Sequence, residues 1–236
     1  MIPRTAHFIW FGPAFPWVHV LAMRSAAARG GFTQLILHHD QDLTATPWWH
    51  EATAIPGFTA RPIDEPALFR APGGDGDALL SVYRELEKPE ARANMLRAAI
   101  LAAEGGVYLD MDTITVASFE TLLSGAGAFY GLERIVFPAA VRQSRRPGVW
   151  TGALARAGFR EACRRRRDGW RLFRRLEGRY PLAANNAVLG GEPGHPFLLD
   201  LLDRMVALPR SRRTIRFSLG THLLQDAADA CTDPTV

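Results

Sequence analysis

The sequence is poor in cysteine and almost without lysine. Cys163 and Cys231 stand too far apart for a zinc knuckle or a CxxC redox site, so a reducing compartment is expected. The single lysine, Lys88, is followed by Pro89, which excludes a Walker phosphate loop. Long apolar runs are also missing: the stretch Phe8 to Met23 is broken by Pro13, Pro16 and His19, so no membrane span is expected. Neither GxSxG nor HExxH occurs, and Gly125-Ala126-Gly127 continues to Gly131 with the wrong spacing for a dinucleotide turn. Together these absences point to a cytoplasmic, unsecreted chain. With 236 residues and 47% hydrophobic composition it can bury one generous core, and one domain over 1–236 is expected.

Charge is informative by position. The net charge is +4, but residues 134–179 carry 14 basic and 3 acidic side chains, while residues 1–133 carry 9 and 15. The basic run centres on Arg164 to Arg167, Arg171, Arg174 and Arg175. Trp170, Leu172, Phe173 and Leu176 suit the packed side of the same helix, which leaves the arginines as a solvated face. Attraction to an anionic membrane is the second reading of that face. No nucleic-acid partner is expected, because no recognised binding motif accompanies the arginines.

Short apolar runs alternate with segments of three-and-four spacing, the pattern of an α/β domain. Strands are expected at Ala6 to Phe11, Leu35 to Leu37, near Phe58 to Ile63, Val107 to Asp112 and Ala128 to Leu132. Helices are expected from Pro16 to Gly30, Ala78 to Glu87, Pro89 to Glu104 and Pro196 to Leu208, with a last one from Phe217 or Leu219 into Ala228. Residues 44–77 read as loops around one strand.

Thirteen aspartates give about 0.7 Asp-x-Asp occurrences by chance, so the motif alone says little. There are three. Asp75/Asp77 sits among glycines and reads as a solvated turn. Asp40/Asp42 follows a strand but has no evident polar helix beside it. Asp110/Asp112 ends an apolar strand, and α/β sheets bind ligands at the carboxyl ends of their strands. Such a pair suits Mg²⁺ or Mn²⁺ bridging a diphosphate. Asn94 and Arg97 lie three apart on the preceding helix and face the same region. Tyr108 shares the carboxylate face. The histidines form no cluster of metal-ligand spacing, and of Trp48 and Trp49 at least one belongs in the core.

With these residues assembled, the chain resembles the DXD-containing glycosyltransferase family 32, related to the glucosylating bacterial toxins. Three blocks carry the likeness: Ile2-Pro3-Arg4-Thr5-Ala6-His7-Phe8-Ile9-Trp10; Arg92 to Arg97 with Gly105-Gly106-Val107-Tyr108-Leu109-Asp110-Met111-Asp112; and, more loosely, Asn186 to Pro196. The resemblance implies a GT-A fold, a Rossmann-like mixed sheet flanked by helices. It also implies a retaining, metal-dependent hexosyl transfer from a UDP- or GDP-linked sugar to a glycan, lipid-linked or other hydroxyl acceptor, as in polysaccharide biosynthesis. Asp112 would be the direct metal ligand. Asp110 would lie near the ribose, the donor sugar or a metal-bound water, Trp10 would stack on the base, and Arg97 and Asn94 would meet the donor sugar. Family members usually carry aspartate where Asn94 stands, and commonly add a carboxy-terminal segment that closes over the donor, which this chain would lack. A domain of this fold that binds without turnover is the non-enzyme alternative. A haloacid-dehalogenase-type phosphatase is disfavoured by Ile114 two residues after the second aspartate and by the want of a later lysine.

Overall fold

The computed structural model describes residues 1–213, 215 and 218–236, the side chain of Ala139 excepted. By internal contacts the chain divides into two compact units, 1–131 with 186–236, and 132–185.

The larger unit is built on four parallel strands. β1 (Thr5–Trp10), β2 (Gln34–His39), β3 (Phe58–Pro62) and β4 (Gly106–Leu109) belong to a six-stranded sheet ordered β3-β2-β1-β4-β6-β5, with β5 at Ala128–Arg134 and β6 at Leu182–Gly191. β1 pairs in parallel with β2 and with β4, β2 pairs in parallel with β3, and β4 pairs antiparallel with β6. The order 3-2-1-4 is that of a Rossmann-like half-sheet, and its switch point lies between β1 and β4. The α/β class and mixed sheet inferred from the sequence are those observed.

Helices cover the sheet where the sequence sets them. α1 (Trp17–Arg29) is preceded by Pro16, and it buries Val20, Met23 and Ala26 against β1 and β2. Two short helices that the glycine- and proline-rich composition hid lie within 44–77, α2 (Trp49–Thr53) and α3 (Glu65–Arg70). α4 (Gly76–Arg84) starts one turn after α3, and Asp75 caps it by accepting from the Ala78 amide at 2.9 Å. α5 (Pro89–Glu104) buries an unbroken run from Met95 to Ala102. Two glycines turn α5 into β4, with φ of +69° at Gly105 and +97° at Gly106. A Cβ on Gly106 would stand 2.6 Å from the Thr5 carbonyl, so the approach of β4 to β1 requires glycine there. Later helices run over Pro196–Ala207 and Leu223–Ala230; Phe217, the first of the two expected starts of the last helix, lies outside the described residues.

In the smaller unit, Pro147–Arg164 and Gly169–Leu176 are helical, and residues 132–185 hold 14 arginines against 4 acidic residues. The arginines from 164 to 167, with 171, 174 and 175, are exposed as expected. Trp170 and Leu172 correct the packed-side expectation. They are 55% and 38% exposed, and the packing falls to Phe173, whose ring lies 5.1 Å from Tyr180, and to half-buried Leu176.

Beneath the sheet's centre sit two buried histidines. His7 Nε2 donates to the Gly105 carbonyl (3.0 Å), so its Nδ1 accepts from His38 Nε2 (3.1 Å), and His38 Nδ1 is left without a partner. Burial holds the pKa of His7 down at about 4, and burial with His7 and Arg61 nearby holds His38 at about 2. Both rings are neutral when folded, whereas in the unfolded chain both take up protons below about pH 6.5. The unfolded state therefore binds more protons at acid pH, and stability falls as pH drops from 6.5 towards 4, by up to tenfold in the folding constant per pH unit for each ring. Denaturant titrations between pH 7.5 and 4.5 should show that slope, and His38→Gln, which keeps a donor towards His7, should remove one proton from it. A slope unchanged in the variant would show that His38 is not among the groups responsible.

Candidate active site

The strand that carries the aspartates ends earlier than its alternation predicts. Asp110 still donates its amide to the Ala187 carbonyl (2.8 Å), but its own carbonyl accepts from both the Thr113 amide (3.0 Å) and the Thr113 hydroxyl (2.7 Å). Those bonds fold Asp110-Met111-Asp112-Thr113 into a turn, so β4 stops at Leu109 and the two carboxylates are not successive residues of one strand face. Met111 is buried, anchoring the turn, and Asp112 stands exposed.

The two aspartates differ in their surroundings. Asp110 Oδ1 accepts from the Tyr108 hydroxyl at 2.7 Å and lies 3.2 Å from Arg97 Nη2. The Arg97 side chain is only 7% exposed; it also donates to the Asn186 carbonyl, and its guanidinium lies 4.2 Å from the centre of the Tyr108 ring. A buried guanidinium requires such partners, and it supplies the charge that offsets Asp110. Asp112, by contrast, has no hydrogen bond or ion pair from its side chain among the described residues.

Tyr108 is placed differently from the donor contact its strand position suggested. It is 2% exposed, and burial pushes its phenol far above the ordinary tyrosine range, so the hydroxyl remains a donor to Asp110. It positions the carboxylate from below.

Asn94 faces the same region from α5. Its Oδ1 accepts from Asn186 Nδ2 at 2.8 Å, and Asn186 Oδ1 in turn accepts from the Thr221 hydroxyl at 3.3 Å. The turn Ser218–His222 comes so close that a Cβ on Gly220 would stand 2.8 Å from Asn94 Nδ2 and 2.7 Å from Asn186 Nδ2. The turn Ser218–His222 thus lies against Asn94 and Asn186. Thr221 and Gly220 joined the site without any sequence signal beyond their polarity and smallness.

Trp10 arrives at the same end of the sheet, because β1 and β4 are parallel neighbours. Its indole N–H donates to the Ala14 carbonyl (2.7 Å) and its ring lies 4.2 Å from that of His19. His19 Nδ1 lies 2.9 Å from the Met111 carbonyl, between the two aspartates. At the ends of β1, β2 and β3, Phe11, Asp40, Ile63, Glu65, Tyr83 and Arg92 line a cleft of about 530 Å³. Phe11, Asp40 and Ile63 directly follow β1, β2 and β3, which is the signal that would have found them. Asp40 also accepts from the Gly12 amide (2.8 Å), tying two of those strand ends together. Asp42 turns on itself to cap Thr44.

No group of three or more His, Cys, Asp or Glu side chains converges among the described residues. The fit to a divalent ion rests on chemistry: hard cations of this type take one or two carboxylates and complete their shell with phosphate oxygens and water. Asp112, without a partner among the described residues and with Asp110 two residues away, meets that requirement.

Residues 33–127 match the family described as the glycosyltransferase sugar-binding region containing the DXD motif. No curated protein matches the chain in sequence. Among solved structures, the chain is similar to the PaToxG glycosyltransferase (15% identity, TM-score 0.57, 97% of this chain and 69% of that one) and to a transferase mutant (12%, TM-score 0.51, 98% and 88%). The UDP-bound glycosyltransferase domain from the YGT toxin is more distant in shape (14%, TM-score 0.44), and the chain spans 62% of its length. The stretch that carries Asn94, Arg97, Tyr108 and both aspartates thus lies within the part of the chain that is similar to the DXD-containing sugar-binding region of glycosyltransferases, and the fold is similar to the GT-A type of the solved neighbours.

Proposed function

We propose that the chain transfers a hexose from a UDP- or GDP-linked sugar to a hydroxyl acceptor, with Mn²⁺ or Mg²⁺ held by Asp112. The observation that carries this reading is the division of labour in the Asp110–Asp112 turn. One carboxylate is neutralised by buried Arg97, and the other is exposed and without a partner among the described residues, at the switch point of the sheet.

A divalent ion held there supplies positive charge to the departing diphosphate. Arg97, tied to Asp110 and the Asn186 carbonyl, adds a fixed positive potential without reorganising. The cleft at the ends of β1 to β3 is lined by Asp40, Asp64 and Glu65 with Arg92, and the carboxylates suit the hydroxyl and N–H donors of a nucleoside. In the transfer, the bond from the anomeric carbon to the diphosphate oxygen breaks and a bond to the acceptor oxygen forms. The acceptor's proton leaves with the diphosphate. Retention of configuration belongs to this reading by resemblance, because front-side attack needs no dedicated carboxylate base.

The reading treats both units as one GT-A domain of a cytoplasmic enzyme of polysaccharide synthesis, with both cysteines free. No helix among the described residues is long and apolar enough to cross a membrane. A peripheral contact with an anionic membrane is assigned to the exposed arginines of 132–185, where exposed Trp170 lies under the Arg171 guanidinium at 5.3 Å.

Calorimetry with UDP- and GDP-sugars, with and without Mn²⁺, tests the proposal. Metal-dependent binding is expected, followed by slow donor hydrolysis; binding without hydrolysis or transfer would favour a domain that holds the nucleotide-sugar without turnover. Asn94→Asp gives a sharper readout. Asn94 Oδ1 already accepts from Asn186, so the carboxylate keeps that bond and Tm should stay unchanged. The other atom changes from donor to acceptor, and KM for a neutral hexose donor is expected to fall about three- to tenfold while affinity for free UDP does not change.

A further inference from the structure

Two tryptophans lie exposed at the end of the sheet that carries the aspartate turn, and neither belongs to the core cluster. Trp17 opens α1 and Trp48 immediately precedes α2, so both follow the carboxyl ends of parallel strands, β1 and β2. Their rings are 5.2 Å apart, tilted by 55°, and each residue is 39% exposed. The neighbouring Trp49 shows the contrast: its ring meets Phe15 and Phe58 edge-on and joins the core cluster. Arg24, two turns along α1, sets its guanidinium 5.1 Å from the Trp17 ring and reaches the Glu51 carbonyl of α2 at 3.5 Å. The pair is thereby braced between two helices.

Position gives this surface its meaning. His19, two residues after Trp17, is the residue whose Nδ1 lies 2.9 Å from the Met111 carbonyl. The platform therefore stands at the same end of the sheet as Asp110 and Asp112, with Trp17 two residues, about half a helical turn, before the residue that touches their turn. Exposed Val18 and Leu21 extend it along α1. Two exposed indoles in mutual contact are the kind of surface that a flat apolar ligand face covers.

We propose that Trp17 and Trp48 hold a sugar ring of the acceptor, which makes the acceptor a glycan. This rests on the reading of the chain as a hexosyl transferase. Charge selects the occupant. Outside 132–185 the chain carries 14 basic and 20 acidic side chains, a net −6 that disfavours a nucleic acid or an anionic bilayer as the partner of this unit. A pyranose presents an apolar C–H face to an indole and carries no charge. Its rim hydroxyls hydrogen-bond with water or with polar neighbours such as Arg24.

The test uses the full chain, with maltohexaose, cellohexaose and chitohexaose as probes, followed by tryptophan fluorescence and ligand-observed NMR. At least one oligosaccharide should bind saturably. Trp17→Ala and Trp48→Ala should each weaken that binding at least fivefold, Trp17→Phe should recover part of it, and Trp150→Ala and Trp170→Ala should leave it unchanged. Binding of none of the three probes, binding by the two alanine variants as tight as that of the unaltered chain, or vesicle binding that depends on Trp17 and Trp48 would each overturn the proposal. Calorimetry of UDP with Mn²⁺ on the unaltered chain is scored separately, so failure of the nucleotide-sugar reading is distinguishable from failure of the platform.

Discussion

Asp112→Ala is expected to unfold at the same temperature as the unaltered chain, within about 1 °C, and to lose at least a hundredfold in metal-stimulated donor hydrolysis. Stability is untouched because the side chain is exposed and makes no bond among the described residues, while the turn is held by Thr113 on the Asp110 carbonyl. Activity is lost because an ion held by one strong carboxylate and a diphosphate has no second anchor on the protein once that carboxylate is gone. Lewis-acid stabilisation of a leaving diphosphate contributes several kcal/mol, which is about two to three orders of magnitude in rate. Differential scanning calorimetry and a donor-hydrolysis assay across a Mn²⁺ titration measure both quantities. Hydrolysis with the same metal dependence as the unaltered chain would show that the ion sits elsewhere. Asp110→Ala is the instructive contrast: it removes the acceptor for the Tyr108 hydroxyl and the partner of Arg97, so it should lower stability as well as activity.

The strands were legible in the sequence because apolar runs ended by glycine or proline leave few alternatives; Thr5–Trp10 and Phe58–Pro62 lie within a residue of their expected places. The early end of β4 was not legible. Alternation of Val107, Leu109 and Met111 looks the same whether Met111 continues a strand or plugs a turn, and only the Thr113 hydroxyl on the Asp110 carbonyl decides it. Short helices such as Trp49–Thr53 escape periodicity because five residues hold little more than one turn. Tyr108 shows a further limit. Alternation sets it on the carboxylate side, but whether that position is open depends on Arg97, which lies over the ring from a helix eleven residues earlier. The cleft residues Tyr83 and Arg92 come from two helices, and their meeting with Asp40 is a matter of tertiary packing. Trp48 and Trp49 were alike in sequence and are opposite in structure, because α2 begins between them and turns only Trp49 inward.

The largest stability effect in the site is expected from Arg97→Met. The substitution keeps an unbranched stem over Tyr108 but removes the charge that offsets Asp110, and it leaves the Asn186 carbonyl without this donor. Breaking a largely buried ion pair from one side costs about 2–4 kcal/mol, because the remaining charge is left uncompensated. For a chain of this size that corresponds to a Tm lower by about 5–12 °C. Transfer should fall by two orders of magnitude or more, since the guanidinium that would face the departing diphosphate is gone. Arg97→Lys should not restore it: one ammonium cannot meet Asp110 and the Asn186 carbonyl while stacking on Tyr108 as the planar guanidinium does. Asp110→Asn separates the electrostatic cost from simple loss of packing. If Arg97 acts through its pairing with Asp110, the double variant Arg97→Met/Asp110→Asn will be more stable than the sum of the single effects by 1 kcal/mol or more, a coupling within the range for directly contacting residues. Additive losses in denaturant titrations would mean that Arg97 stabilises the fold through its contacts with Tyr108 and Asn186, and that the charge on Asp110 is offset by solvent instead.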